Sequence, residues 1–521
     1  MFHISITIIK IYRCIHITTH TRIPFLHLNS VRVRLETPVS QNIYHRVRRR
    51  KKTTEKMGAL KNVFYSALAL AIAFSYQTYR DLTKPFPRPE LDLNEYWGRG
   101  NAKNYKEDKT IKPFKISYSA EVIKRLTDKL SDGQAQAFTE PLENTAFEYG
   151  FNTKHLQVVL NYWKDQYLPK WNEREQFLNQ FPQFTTQIQG LNIHFIHAKP
   201  TKTNANTKVF PLILLHGWPG SVREFYDIIP LLTTPSKDNI AFEVIAPSLP
   251  GYGWSEAAKK QGLGAVRIAV IFRNLMKRLG IEKYYIQGGD WGSLIGINMA
   301  TLFPENVLGY HTNMCGINTP MANIKMFIAS FYPSYFMDEK YVSWVYPFWP
   351  KFVDLLQESG YMHIQATKPD TIGVALNNNP IGLAAYILEK FSTWTNKDYR
   401  KLADGGLEKY FTMDALLDNV MIYYLTNSIT TSQRIYKEVF GDEFVNLPLD
   451  RVPLEIPSAC ANFKNELLTT PEFTLKEKHK FLLQSNYYED GGHFAAMQLP
   501  KVLYNDIIEF IRKTLEQKNQ N

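Results

Sequence analysis

Tyr284-Tyr285-Ile286-Gln287-Gly288-Gly289-Asp290-Trp291-Gly292-Ser293-Leu294 is the stretch whose reading decides the fold. Tyr284–Gln287 reads as a strand, and the residues from Leu294 onward read as a helix. Between them, glycines flank an aspartate in the order small-x-acid-x-small, the layout of a nucleophile on a tight strand-to-helix turn. Glycines suit that turn because the chain is strained and passes close to its neighbours. The tip sits at a helix N-terminus, which favours negative charge. Ser293 does not qualify as the nucleophile, since Trp291 stands where a glycine two positions earlier is needed. The competing role for Asp290 is an ordinary helix cap.

Working outward, strand-like and helix-like segments alternate. Thr186–Ala198, Val209–Leu215, Phe242–Ala246, Tyr284–Gln287 and Val307–Asn313 read as strands. Val222–Leu232, Val266–Leu279 and Leu294–Phe303 read as helices. This alternation predicts a doubly wound, mostly parallel sheet. It stops over 320–450, which reads as helical and aromatic. It resumes at Val452–Ser458 and Lys480–Tyr488, and ends in a helix over Lys501–Glu516. A helical insertion between late strands forms a lid over the strand ends, where ligands bind in such sheets. The pattern as a whole is that of an α/β-hydrolase fold with a helical N-terminal segment. The expected division is a basic leader over 1–56, a membrane anchor over 57–84 and a helical segment over 85–185. The core then follows over 186–319, with the lid over 320–450 and the rest of the core over 451–521.

Composition narrows the partners. The chain of 521 residues carries a net charge of +12, but residues 1–56 account for +10 of it and the other 465 residues for only +2. A nucleic-acid surface needs basic residues clustered on the folded domain, so no nucleic-acid partner is expected. Cys14, Cys315 and Cys460 show no metal-ligand spacing and make no disulfide framework. A reducing compartment is the mild expectation, and no metal or cofactor is expected. Residues 1–56 lack a clear amphipathic period, whereas Met57 opens a clean pattern leading into the apolar run Val63–Tyr76. The expectation is that Met57 is the natural start, with a basic targeting leader as the alternative. The run is shorter than the roughly 20 residues of a comfortable span. It is read as a marginal anchor, with a buried N-terminal helix as the alternative.

The remaining chemistry follows the turn. His216-Gly217-Trp218-Pro219-Gly220 comes after the strand Val209–Leu215, at the place that supplies an oxyanion amide. The backbone N–H groups of Trp218 and Trp291 are the expected pair. His216 reads as loop scaffold. The turn Gly251-Tyr252-Gly253-Trp254-Ser255 is read as structural. His493, in Asp490-Gly491-Gly492-His493-Phe494, is the expected base. Glu466 is the expected orienting acid, ahead of Glu472 and Asp450. A carboxylate nucleophile suits displacement at an sp3 carbon and leaves an alkyl ester. If the carbon belongs to an epoxide, the ring oxygen needs a donor. Tyrosine, with a pKa near 10, can supply it. Among many lid tyrosines, Tyr361 and Tyr436 stand out by context, and the competing role for each is packing.

These residues resemble the microsomal-type epoxide hydrolases, including the insect juvenile hormone epoxide hydrolases. The matching stretches are Tyr96-Trp97-Gly98, Phe181–Ala198, His216–Gly220, Gly288–Gly292, Glu358–Thr371, Pro380–Thr395, Ser432–Glu438, Phe463–Leu468 and Gly491–Ala496. Together they span roughly residues 57–520. The resemblance implies Asp290, Glu466 and His493 as the triad and Tyr361 and Tyr436 as the lid tyrosines. It also implies a small lipophilic epoxide and water as substrates, and an N-terminal anchor in the endoplasmic reticulum membrane. Two rival readings remain at this point. One is a haloalkane dehalogenase, which usually carries Asn where Trp218 stands. The other is a retired hydrolase that only binds a lipid or hormone.

Overall fold

The computed structural model describes residues 38–135, 138–443 and 446–520. Residues 1–37, with Cys14 and most of the expected leader, lie outside the described residues. Nine strands form one sheet in the order β1-β2-β3-β5-β4-β6-β7-β8-β9 among the described residues. The strands are β1 (Lys112–Phe114), β2 (Gln183–Ile188), β3 (Leu191–Ala198), β4 (Lys208–Leu215), β5 (Ile240–Pro247), β6 (Tyr284–Gly288), β7 (Val307–Thr312), β8 (Leu454–Asn465) and β9 (His479–Gly492). The pairings β1–β2, β2–β3 and β3–β5 are antiparallel. Every later pairing, from β5–β4 to β8–β9, is parallel. The parallel strands are fully buried where they face the site, as Leu212–Leu215 and all of β6 show. That is the expected signature of strands covered by helices on both faces.

Helices fill the crossovers, among them Ala265–Arg278 and Asp290–Leu302. Between β7 and β8 the chain leaves the sheet and runs through helices from Pro320–Ala329 to Ile429–Glu438. The α/β-hydrolase fold with an inserted helical lid is therefore present. The helical segment ahead of the sheet includes Ala120–Ala135, Thr153–Tyr162 and Trp171–Leu178. Arg174 on the last of these donates to Asp418 on the lid helix Met413–Thr426, which also takes bonds from the Tyr167 hydroxyl and Arg223.

Four expectations change. Thr186–Ala198 is two strands, β2 and β3, joined by Gln189 and Gly190, both at positive φ (51° and 87°). Positive φ at two central residues is the conformation of a tight hairpin. Val222–Leu232 is a 3-10 turn over Val222–Phe225 and a short helix over Ile229–Leu232. The strand expected to end at Ser458 runs on to Asn465, because its inner residues Ser458–Phe463 are all buried. Cys315 and Cys460 are joined as a disulfide across 145 residues, with Cα atoms 6.0 Å apart. Linear spacing hid this pair. Cys460 lies opposite Thr312 on neighbouring β7, and Cys315 follows three residues after Thr312.

The described part of the N-terminal region, taken by itself, is one helix, Pro38–Thr83, which continues across residues 56 and 57. Its stretch Tyr44–Thr83 has a mean hydropathy of 1.5 in its most apolar window, none of it buried. Val63, Phe64, Leu70, Ile72 and Phe74 are all exposed.

Candidate active site

Four strand ends converge. The loops after β4 and β6, and the chain just past β8 and β9, carry Trp218, Asp290, Glu466 and His493 to one place, the C-terminal edge of the parallel strands. Asp290 opens the helix Asp290–Leu302 at φ 49°, in the left-handed region. A non-glycine residue rarely adopts that conformation, and it clusters at functional sites. The flanking glycines are sterically required. A Cβ on Gly292 would stand 2.0 Å from the Leu215 carbonyl oxygen, and one on Gly288 would stand 2.4 Å from the Gly292 carbonyl oxygen. Asp290 does not cap its helix, because the cap position is Gly289 and no side chain makes a capping bond there.

The Asp290 carboxylate is held at one oxygen and presented at the other. Trp218 N–H donates to Oδ1 at 2.7 Å. Oδ2 lies 3.5 Å from His493 Nε2. Gly217 permits this approach, since a Cβ there would stand 2.0 Å from Oδ1. Trp291 is the second residue of the helix, where backbone amides have no acceptor within the helix and point out of its end.

His493 is buried, and its Nδ1 faces Glu466 Oε1 at 2.7 Å. A carboxylate only accepts, so this contact places the ring hydrogen on Nδ1 and leaves Nε2 toward Asp290. Glu466 Oε1 is itself fixed by the Leu467 amide at 2.7 Å. Burial alone would lower the imidazole pKa, but the Glu466 and Asp290 carboxylates hold it well above its ordinary value. The His493 backbone N–H donates to the Trp394 carbonyl at 3.0 Å, and the two rings meet at 4.9 Å.

The lid brings both expected tyrosines to the same place. The Tyr361 ring stacks on Trp218 at 5.4 Å. Tyr436 meets the edge of Trp291 at 4.6 Å and Tyr361 at 6.0 Å. The Tyr436 hydroxyl is buried with no hydrogen-bond partner among the described residues. Burial is the main cause that pushes both phenols well above 10, followed by the Asp290 charge for Tyr361 and by Tyr361 and then Asp290 for Tyr436, so both remain protonated. Of the two acids set aside, Glu472 begins a short helix and Asp450 lies in a 3-10 turn before β8.

His216 plays the scaffold role. It is buried, its Nε2 accepts from the Leu249 amide, and burial lowers it to about 4. Ser293 is committed to the Met314 carbonyl at 2.6 Å. The turn at Gly251 receives the Thr431 hydroxyl from the lid. Sequence reading missed Trp394, Glu224, Gln287 and Asn313, which line or border the site. Trp394 carried a signal, since it falls in the Pro380–Thr395 stretch. The other three belong to no motif.

Known proteins resemble the chain along most of its length. The family model for the epoxide hydrolase N terminus matches residues 111–225. The model for the alpha/beta hydrolase fold matches residues 211–448. The chain is 53% identical over 439 residues to juvenile hormone epoxide hydrolase 2 of Ctenocephalides felis, covering 84% of this chain and 93% of that one. It is 43% identical over 449 residues to epoxide hydrolase 1 of Sus scrofa, covering 85% and 98%. The crystal structure of juvenile hormone epoxide hydrolase from the silkworm Bombyx mori superposes with a TM-score of 0.80 at 48% identity. That match covers 82% of this chain and all of the other. Aspergillus niger epoxide hydrolase superposes with a TM-score of 0.61 at 26% identity, covering 78% and 97%. An elbow aspartate facing an acid-paired histidine beneath two protonated tyrosines, on a chain this similar along nearly the whole of these relatives, places the protein in the epoxide hydrolase family, of the microsomal type and like the juvenile hormone epoxide hydrolases.

Proposed function

We propose that the protein opens a lipophilic epoxide in two steps through an ester on Asp290. In the first step Oδ2 attacks a ring carbon. The C–O bond of the ring breaks, and a proton from Tyr361 or Tyr436 goes to the ring oxygen. A phenol is a stronger acid than the alcohol formed when the alkoxide takes its proton, so this transfer is favourable. In the second step water attacks the ester's carboxyl carbon, giving a proton to His493 Nε2. Negative charge moves to Oδ1, where the Trp218 and Trp291 amides receive it. Collapse breaks the bond between the Asp290 carboxyl carbon and Oδ2, which leaves on the product as the second hydroxyl of the diol and takes the proton from His493, while the water oxygen stays in the Asp290 carboxyl group. The proton left on Asp290 returns to the tyrosinate.

The observation that carries this reading is the division of labour at the Asp290 carboxylate. One oxygen is bound by the Trp218 amide, and the other is turned to His493. Ester formation also removes the Asp290 charge that helps hold His493 protonated, freeing the imidazole to act as a base when water is needed. The Tyr361 ring packs against Trp218 and against Tyr436. The names of the relatives support a juvenile hormone-type epoxide as substrate, with xenobiotic epoxides as the alternative. The exposed apolar helix supports anchoring in the endoplasmic reticulum membrane.

Intact-protein mass after exposure to a styrene-type epoxide tests the chemistry. His493→Gln is expected to gain the mass of the epoxide, and Asp290→Ala is expected to gain nothing. An unmodified His493→Gln protein would sink the two-step reading. Kinetics on juvenile hormone III beside the styrene-type epoxide then assign the substrate class.

A further inference from the structure

A narrow cavity lies behind the nucleophile, on the side of the β4 loop. It offers about 10 Å³ to the centres of water molecules, the room of about one water. Its walls include Asp290 and His493, and also Glu224, Gln287 and Asn313. The triad accounts for the first two and for none of the last three.

Glu224 is placed there by construction. It stands in the 3-10 turn Val222–Phe225, immediately after the loop that carries Trp218. The Ser221 side chain caps that turn by accepting from the Arg223 amide, and its hydroxyl donates to Asn419. Arg223 is turned away toward Asp418 and Asp227. Glu224 therefore faces the other way, and its carboxyl lies over Gly220, where a Cβ would stand 1.5 Å from Oε1. The carboxyl has no hydrogen-bond partner among the described protein residues. The opposite wall is fixed, since Gln287 Nε2 donates to Asn313 Oδ1 at 2.9 Å.

We propose that this cavity holds the water that hydrolyses the Asp290 ester, and that Glu224 orients it. The water gives one hydrogen bond to a Glu224 oxygen and the other to His493 Nε2, which turns a lone pair toward the Asp290 carboxyl carbon. On attack, the hydrogen facing His493 leaves as the proton. The new C–O bond forms at the Asp290 carboxyl carbon, and the bond from that carbon to Oδ2, which leaves on the diol, breaks. Glu224 neither gains nor loses a proton. The inference rests on the two-step reading, because it assigns a residue to the second step alone.

The charge state of Glu224 fits the role. It is faced by His493, Asp290, Glu466 and the Tyr423 hydroxyl. Burial is the main cause that lifts it to about 8; the His493 imidazolium opposes the rise, and the Asp290 and Glu466 carboxylates add to it. An uncharged carboxyl at neutral pH does not repel the Asp290 carboxylate and does not bind the His493 proton. It still accepts a hydrogen bond.

Single-turnover kinetics on a styrene-type epoxide, resolving ester formation from ester hydrolysis, test this. Glu224→Leu is expected to form the ester at the wild-type rate and to hydrolyse it about 100-fold more slowly, so that the adduct persists. Glu224→Gln, which can still accept from water, is expected to hydrolyse within about threefold of wild type at neutral pH. The wild-type hydrolysis rate is expected to decline as pH rises through about 8, where an ionised Glu224 opposes the oxyanion on Asp290; Glu224→Gln lacks this decline. Wild-type hydrolysis by Glu224→Leu overturns the proposal, as does an equal loss in both steps. If Glu224→Leu does not fold, a decline retained by Glu224→Gln overturns it. His493→Gln run alongside separates the two readings. An adduct there without one in Glu224→Leu removes only the role of Glu224, whereas no adduct in His493→Gln removes the ester itself.

Discussion

At the scale of single residues, the site is a set of charges that change one another's protonation. Asp290 raises His493, and burial and carboxylates raise Glu224. Asp290→Asn removes one charge from both relations, and the sign of the result can be worked out. A histidine whose native pKa is raised contributes stability that is full below its unfolded value of about 6.5 and is lost as pH rises through the native value. Part of that contribution disappears in the variant. Glu224, raised in the native state, opposes folding increasingly as pH rises toward about 8, and the variant relieves part of this. Both effects act in one direction. The melting temperature of wild type minus that of Asp290→Asn is expected to fall as pH rises from 6 to 9; a difference that grows instead contradicts the assignment. The tyrosines make a second, separable expectation. Tyr436→Phe removes a hydroxyl that has no other described partner, so the fold should tolerate it. Ester formation should slow by about 100-fold, the size typical of a lost general acid, with hydrolysis of the ester little changed in stopped-flow traces.

At the scale of elements, the chain shows which features can be read locally. Asp290, Trp218, Glu466 and His493 each sit where a strand stops, and a strand stop followed by glycine or a charged residue leaves a short-range signal. The lid offers no such punctuation. Tyr361 and Tyr436 lie inside helices among many aromatic residues, and only a neighbour across space, such as Trp218 or Trp291, distinguishes them. The β2–β3 hairpin escaped for a related reason. Its alternation of buried and open residues continues through a turn made by Gln189 and Gly190, without a proline or an Asn-Gly pair to mark it. The Cys315–Cys460 bond and the Glu224 cavity depend on residues far apart in the chain, which no spacing rule connects. The same holds for the lock between the N-terminal helices and the lid. Asp418 is fully buried and accepts from Arg174, Arg223 and Tyr167. Asp418→Ala takes the fully buried acceptor from two guanidinium groups and leaves Arg174 only Asp414 and Arg223 only Asp227, both more exposed. Removing one partner of a buried pair typically costs about 3–5 kcal/mol. Chemical denaturation should show a loss of that order, and Asp227, which is half exposed, should show little when changed to Ala.

At the scale of the whole molecule, the uneven charge and hydropathy are the features to explain. The excess positive charge is concentrated before residue 57, and the described chain has one helix long and apolar enough to cross a membrane. Its apolar side chains are exposed, as they would be against lipid. A soluble protein gains nothing from exposing Phe64, Leu70, Ile72 and Phe74 together, because apolar area left in water forgoes about 25 cal/mol per Å². In a bilayer the same residues are matched to their solvent, and a helix satisfies its own backbone groups there. Leu70 and Ile72 lie near the middle of the apolar run, and neither contributes to the buried core. Leu70→Arg with Ile72→Arg should therefore act on the membrane and leave the catalytic region alone. Each arginine at mid-bilayer costs roughly 2.5–3.5 kcal/mol on insertion scales. The wild-type chain is expected to stay with microsomal membranes through an alkaline wash, and the double variant to be released by it. Epoxide turnover per mole of protein in detergent should be equal in the two. Retention of the double variant would show that the membrane is held by some other part of the chain, and a parallel loss of turnover would show that the helix supports the fold.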